Sequence, residues 1–459
     1  MKKFLAILCM LAMMLTLVAC GGDKQPDDGG SEGGETRYTA DGKIAVDFWS
    51  TWSGSTGEKV QKMADDFNAS QDKYFVTVNY NGGYGDTWTK FLAMPKTDWP
   101  DIVYINAEKM PDFMYEPGLA KPMQDFIDAE GYDTSNIQDS LIGQYSDGNG
   151  DLLMMPMGNT MVGFFYNKTL CDKAGVDPSE LKHFPDFLEA CRKVNAATGC
   201  ATPLAMGRNP IYYTFLYTAE GIKGLDNNNG RDAFPTQSMT GSDPLKKATT
   251  EYLSTIQTLA KEGLMAPFSG STQDFIDLFC SGNTCFMFFT CSSATAIYNT
   301  LNGAYEFGFL PAPSASADGK VISTPAGGGG LFIADNNRTE NQQGAWEFTK
   351  FLMEDAQTSL FARQTGYLPV TKSTVNDPEY QKYMTEVFKT AQLCMDAQAA
   401  SDPSNSFTPA WPAGMDYATP IYTAIDTVMA DPNVSVDTVV ATLQQSLQDA
   451  LDLVNMAKS

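Results

Sequence analysis

The sequence predicts an α/β fold divided into two lobes, on three observations. Apolar runs of strand length alternate with amphipathic helical stretches and are joined by short loops. About 420 residues follow the N-terminal leader, more than one hydrophobic core usually supports. After that leader no apolar run reaches the length of about 18 residues needed to cross a bilayer.

The leader has the three parts of an export signal: basic Lys2 and Lys3, an apolar run from Phe4 to Val18, and the tetrapeptide Leu17-Val18-Ala19-Cys20. That tetrapeptide resembles the lipobox of bacterial lipoproteins. The resemblance implies that residues 1–19 are a cleaved signal peptide and that Cys20 is acylated, with palmitate among its chains. The stretch Gly21 to Glu35 is glycine-rich and acidic, with no large apolar side chain, so it cannot bury enough surface to offset chain entropy. Residues 20–37 are therefore expected to be the anchor and a flexible tether, reaching roughly 20 Å.

The folded part is expected to open with a strand, Ile44 to Trp49, the loop Ser50 to Gly54, and a helix from near Gly57 with Val60, Met63 and Phe67 on one face. Strands through Phe75–Tyr80 and Ile102–Ile105 follow, which suggests a mostly parallel sheet. In such sheets ligands bind beyond the carboxyl ends of the strands, and that places Trp52, Tyr84 and Asn106 around one crevice. Further strands are expected at Val162–Tyr166, Cys285–Thr290 and Leu331–Ile333, the last preceded by the tract Gly327–Gly330. Helices are expected at Pro185–Val194, Ala345–Met353 and over much of Pro420–Lys458. Asp226 to Asp232 (DNNNGRD) reads as an exposed loop.

Lys and Arg total 31 against 55 acids, a net charge of −24 that becomes two units more negative when Lys2 and Lys3 leave with the signal. Nucleic acid is excluded as a partner on that balance. The mature cysteines are Cys171, Cys191, Cys200, Cys280, Cys285, Cys291 and Cys394. Cys191 with Cys200, or Cys280 with Cys285, are close enough in sequence to form disulfides, and reduced buried thiols are the alternative. Zinc is a poor reading, because His183 is the sole histidine and no two Cys-x-x-Cys pairs occur.

Six segments carry a resemblance over nearly the whole mature chain. They are Phe48-Trp49, the helix end Asp66-Phe67-Asn68-Ala69, GQYSDGNGDLLMMP with GNTMVGFFYNK (Gly158 to Lys168), CFMFFTCSSATAIYN (Cys285 to Asn299), the glycine tract, and QTGYLPVTKS (Gln364 to Ser373). On these the chain resembles the extracellular solute-binding proteins that serve carbohydrate importers of the ATP-binding-cassette (ABC) type. The resemblance implies the periplasmic-binding-protein fold, two hinged lobes with the ligand in the inter-lobe cleft. It implies one lobe from residues 38–157 with 300–345 and another from 158–299 with 346–459. It also implies a monomer without cofactor, partnered by a small carbohydrate-like solute, the membrane permease subunits and, through its anchor, the outer side of the cell membrane.

Carried over from the glycerol-phosphate-binding branch of that family, five positions agree in kind: Tyr84, Thr160, Ser292, Gly328 and Tyr367. Two do not. The acidic position reads Ala107, with Glu108 one step on, and the phosphate-clamping arginine falls near Pro412, which has no donor to offer. Beside it stands Trp411, in FTPAWPAGMDY. Sugar rings stack their C–H faces on aromatic planes while amides and hydroxyls bind their OH groups. Trp52, Tyr84, Tyr367 and Trp411 are the candidate faces, Asn106, Asn159, Thr160 and Ser292 the polar contacts, and Arg208 the cation available to an anionic solute.

Enzyme readings are weaker. His183 is the only base for a Ser-His-Asp triad, and no Gly-x-Ser-x-Gly elbow accompanies it. A glycosidase carboxylate pair is not excluded by counting acids, so a surface carbohydrate hydrolase or adhesin is the alternative. Asp147–Asp151 (DGNGD) imitates the start of a calcium loop, but Leu152 holds the glycine position and Gly158 the glutamate position, so it reads as a turn. No catalytic or metal-ligating residue is assigned.

Overall fold

The computed structural model describes residues 34 to 458, apart from Pro117, Arg208, Pro267, Phe268, Ser269 and Ala413. The expected signal peptide, the acylated Cys20, most of the tether and Arg208 lie outside the described residues. In chain order the strands are β1 (Ile44–Ser50), β2 (Tyr74–Tyr80), β3 (Ile102–Asn106), β4 (Ala120–Lys121), β5 (Met155–Thr160), β6 (Val162–Asn167), β7 (Leu204–Met206), β8 (Phe286–Thr290), β9 (Phe307–Pro311) and β10 (Gly327–Ala334).

β1 lies between parallel β2 and β3. The helix Gly54–Ser70 connects β1 to β2 and buries Val60, Met63 and Phe67, the face its periodicity predicts. The sheet is not mostly parallel, as expected, but mixed: β10 runs antiparallel to β3, β4 and β5. The second sheet, in the order β7-β8-β6-β9, is mixed as well, with β7 parallel and β6 antiparallel to β8. The reason is connectivity. Parallel neighbours need a helical crossover, whereas β10 enters the first sheet from the other end, after the chain has visited the second lobe.

Each sheet has its own core. Phe48, Ile102 to Ile105, Leu331 to Ile333 and Trp346 belong to the first. Phe164, Phe165, Phe187, Tyr252 and Phe286 to Phe288 belong to the second. Three segments carry the chain between them: Met157 to Met161, Ala315 to Ala326, and Phe361 to Tyr380, in which Ala362 and Leu368 dip into the second core and Val370 returns to the first before the chain crosses for good. The expected segment 300–345 is thus divided. Its first part supplies Phe309 to the second core and pairs β9 with β6. The helix Thr339–Leu352 packs on the first sheet instead, with Gly344 against Val46 and Tyr74.

One buried ion pair locks the first lobe. Arg338 donates from Nε and Nη2 to Asp101 Oδ1 at 3.1 and 2.9 Å, while Asp101 Oδ2 accepts from the Asp47 backbone at 2.9 Å. The pair joins the start of β3, the body of β1 and the turn after β10.

The three crossings lie side by side. Gly328 pairs with Asn159, and the Leu368 amide donates to the Asn159 carbonyl at 2.7 Å. The glycine tract therefore forms the first half of β10 and does not merely precede a strand. A Cβ at Gly328, where φ is +108°, would stand 2.0 Å from the Gly158 carbonyl oxygen, so no larger residue fits.

The seven cysteines among the described residues are free thiols, six of them buried; Cys171 and Cys285 have Sγ atoms 3.5 Å apart, and neither sequence-local pair is bridged. His183 Nδ1 is engaged by Ser314 Oγ at 2.7 Å and by the Ser316 carbonyl at 3.0 Å. DNNNGRD is no exposed loop: it folds into a compact turn with Asn229 and Arg231 buried.

Candidate ligand-binding site

Between the two cores lies a cavity of about 370 Å³. Of the residues singled out in the sequence, seven line it: Tyr84, Asn106, Thr160, Ser292, Gly328, Tyr367 and Trp411.

The first-lobe wall stands on the ends of β3 and β10 and the helix that begins at Tyr84. Tyr84 Oη donates to Tyr104 Oη at 3.3 Å, and the Tyr367 hydroxyl completes the cluster. Burial pushes all three phenols up from their ordinary value, so they stay neutral donors and acceptors. Trp52 does not line the cavity. It packs behind this cluster, its ring centroid 3.7 Å from Tyr104 and 5.2 Å from Phe361. Asn106, at the end of β3, donates from Nδ2 to Glu108 Oε2 at 2.9 Å.

The wall nearest the crossings is a ledge of hydroxyls. Thr160 Oγ1 accepts from the Ser292 amide at 3.3 Å, and Ser292 Oγ is 3.0 Å from Thr290 Oγ1. Asn159 is next in sequence but faces away. Its side chain makes a reciprocal amide pair with Gln398, at 2.9 and 3.0 Å, and donates to the Pro369 carbonyl at 3.1 Å. It binds the crossings together, fully buried, and leaves nothing for a ligand.

The second-lobe wall holds Trp411, stacked on Tyr417 with centroids 5.0 Å apart and planes 7° from parallel. Tyr417 also hydrogen-bonds Glu108 across the cavity. The Glu108 side chain is exposed to the cavity yet closely surrounded by protein, and that desolvation raises its pKa against the lowering pull of Lys109, Tyr417 and Asn106. Gln144, Asn209, Thr214, Phe215, Thr290 and Thr408 add amides, hydroxyls and one ring to the lining. Sequence reading passed over these. Only Tyr417, six residues after Trp411 in the same proline-rich segment, and Glu108, beside the expected acidic position, carried a legible signal. Among the described residues the lining contains no lysine or arginine and one carboxylate.

Two α/β lobes, three adjacent crossings and a polar, aromatic cavity between the lobes define a solute-binding fold. The chain matches the family described as bacterial extracellular solute-binding protein over residues 62–390, and it belongs to that family. It is thus the substrate-binding component of an ABC importer, working on the extracellular side with a small-molecule solute and permease subunits as partners.

Curated relatives include the sn-glycerol-3-phosphate-binding periplasmic proteins UgpB of Brucella melitensis, 25% identical over 337 residues (71% of this chain, 74% of that protein), and of Shigella flexneri, 25% identical over 340 residues (72% and 74%). Among solved structures, UgpB from Mycobacterium tuberculosis in complex with glycerophosphocholine superposes with a TM-score of 0.72 at 22% identity, covering 90% of this chain and 100% of that one. The sugar-binding protein MalE from Xanthomonas citri gives 0.72 at 17% identity, covering 90% and 99%. These superpositions show the shared two-lobed fold.

Proposed function

We propose that the chain captures a neutral, hydroxyl-rich solute, a sugar or a polyol, between its lobes and hands it unaltered to the permease. The observation that carries this reading is the lining itself: aromatic faces, hydroxyls and amides around one carboxylate, with no cation among the described lining residues. Trp411 and Tyr417 suit the C–H face of a ring, and Glu108, Asn106, Thr160 and Ser292 suit its hydroxyls. A phosphate dianion facing Glu108 would meet like charge and, among the described lining residues, no guanidinium. Leaving the solute intact accords with the UgpB relatives, which are named as binding proteins. The leader supports a chain tethered to the outer face of the membrane through acylated Cys20.

The second reading is a glycerophosphate solute, favoured by the relatives' names. It would need Arg208, one position before the lining residue Asn209, as the cation. Calorimetry and thermal unfolding with maltose, ribitol, sn-glycerol-3-phosphate and glycerophosphocholine separate the two. A bound solute at a hundred times its Kd adds about 2.7 kcal/mol. The neutral reading expects stabilisation by a sugar or polyol, recovered intact by chromatography, and indifference to Arg208→Ala. Binding restricted to the phosphorylated solutes and abolished by Arg208→Ala would overturn it, and turnover of an oligosaccharide would overturn transport itself.

A further inference from the structure

Two turn-forming stretches that the cavity does not use meet across the cleft, one from each lobe. On the first lobe is Asp147–Asp151, held by Asp147 Oδ1, which accepts from the amides of Asn149 and Asp151 at 2.8 and 3.0 Å. On the second is Asp226–Phe234, where Asn227, Asn228 and Asn229 take φ values of 48°, 55° and 58°. Asparagine is the non-glycine residue best suited to that left-handed region. Asn229 then fixes the turn to its own lobe. Its Oδ1 accepts from the Gly224 and Leu225 amides at 2.7 and 3.2 Å, its Nδ2 donates to the Phe407 carbonyl at 3.3 Å, and its carbonyl accepts from the Ala410 amide at 2.9 Å. The turn and the cavity-lining pair Thr408 and Pro409 therefore move as one piece.

From this base the turn reaches over the first lobe. The Tyr115 hydroxyl is shared between the Gly230 carbonyl and the Ala233 carbonyl, the latter at 3.1 Å, and its ring meets Phe234 edge-on at 4.8 Å. Arg231 is wedged between the lobes, 6% exposed. Its guanidinium lies 4.6 Å over the Phe407 ring on one side and reaches the Gln144 carbonyl at 3.5 Å and Met114 Sδ at 3.8 Å on the other. Among the described residues no carboxylate pairs with it, and its Nε has no partner. Burial accordingly pulls its pKa down to about 10. Gly148 supplies the clearance, because a Cβ there would stand 2.4 Å from the Arg231 carbonyl oxygen.

We propose that the DNNNGRD turn is a strap that sets the balance between the open and closed forms. Tyr115 fastens the closed form. Arg231 opposes it, because a buried, unpaired guanidinium regains water when the lobes part. Gly148 is small so that closure can occur at all. None of the three lines the cavity, so all are positioning residues. The proposal rests on the two lobes moving about the crossings and not on which solute is bound.

The test needs no ligand. In the full chain without solute, deuterium uptake by peptides covering 226–234 and 407–411 should rise about 2- to 10-fold in Tyr115→Phe, the effect of losing one hydrogen bond, and further in Gly148→Ala. The radius of gyration from X-ray scattering should grow in the same order. Arg231→Met keeps the bulk and removes the charge, so uptake should fall below that of the unaltered chain. Melting temperatures within a few degrees of the unaltered chain exclude general unfolding. Should Gly148→Ala melt early, Tyr115→Phe, which removes a single oxygen, carries the same test. Uptake and radius unchanged in Tyr115→Phe, or an Arg231→Met chain that opens as Tyr115→Phe does, would overturn the strap.

Discussion

On the first-lobe side of the cavity, aromatic rings gather on Tyr104 of β3 and bind one another: Tyr84, Tyr104 and Tyr367 share hydroxyls, with Trp52 packed behind them. On the second-lobe side, Trp411 and Tyr417 stack on a proline-broken segment between the helices Ala391–Ala399 and Ala418–Ala430. The difference teaches where solute identity is written. A wall built on β3 and β10 cannot change Tyr104 or Gly328 without disturbing the sheet, and Tyr84 and Tyr367 are tied to it through their hydroxyls. A wall built on irregular chain is free to change residue by residue, and it is there that Pro412 and Trp411 stand where the resemblance would put a phosphate-clamping arginine.

The sharpest way to break that contrast is through the frame of the rigid wall. Arg338→Met strips Asp101 of its buried partner at the foot of β3 and should cost about 3–5 kcal/mol of stability, read by chemical denaturation. A loss below about 1 kcal/mol would mean the first wall owes little to its sheet. The adaptable wall is tested next by Trp411→Ala, which should weaken solute binding by about 1–3 kcal/mol in calorimetry with folding stability nearly unchanged. Equal affinity in the variant would take Trp411 out of recognition.

The smallest effect lies where the walls meet, at Glu108. Its raised pKa means the folded chain prefers the protonated carboxyl, so ionising it costs stability as pH rises through the ordinary glutamate range towards the folded value. Glu108→Gln should therefore melt slightly higher than the unaltered chain near neutral pH, with the gap closing below the ordinary range. A gap that instead widens in acid would reverse the assignment.

Much of the architecture was legible in the residues. Apolar runs of strand length marked β1 to β3, and helical spacing of Val60, Met63 and Phe67 marked the face that became buried. What misled was local composition read without partners. DNNNGRD has the polarity of a solvated loop, yet its asparagines satisfy the backbone of a turn packed against Tyr115. The glycine tract looked like a lead-in to a strand, yet it is the strand, because only glycine tolerates the approach of Gly158. Asn159 looked available for a solute, and Gln398, more than two hundred residues away, occupies it.

Spacing, periodicity and motif order were sufficient for the α/β class and for seven of the residues around the cavity, because those signals are local or copied intact. The pairing of Trp411 with Tyr417, the reach of Glu108 across the gap, the antiparallel course of β10 and the seating of Arg231 between the lobes came only with folding. Each depends on contacts between segments far apart in the chain, whose energies are set by burial and distance and leave no periodic trace in the order of residues.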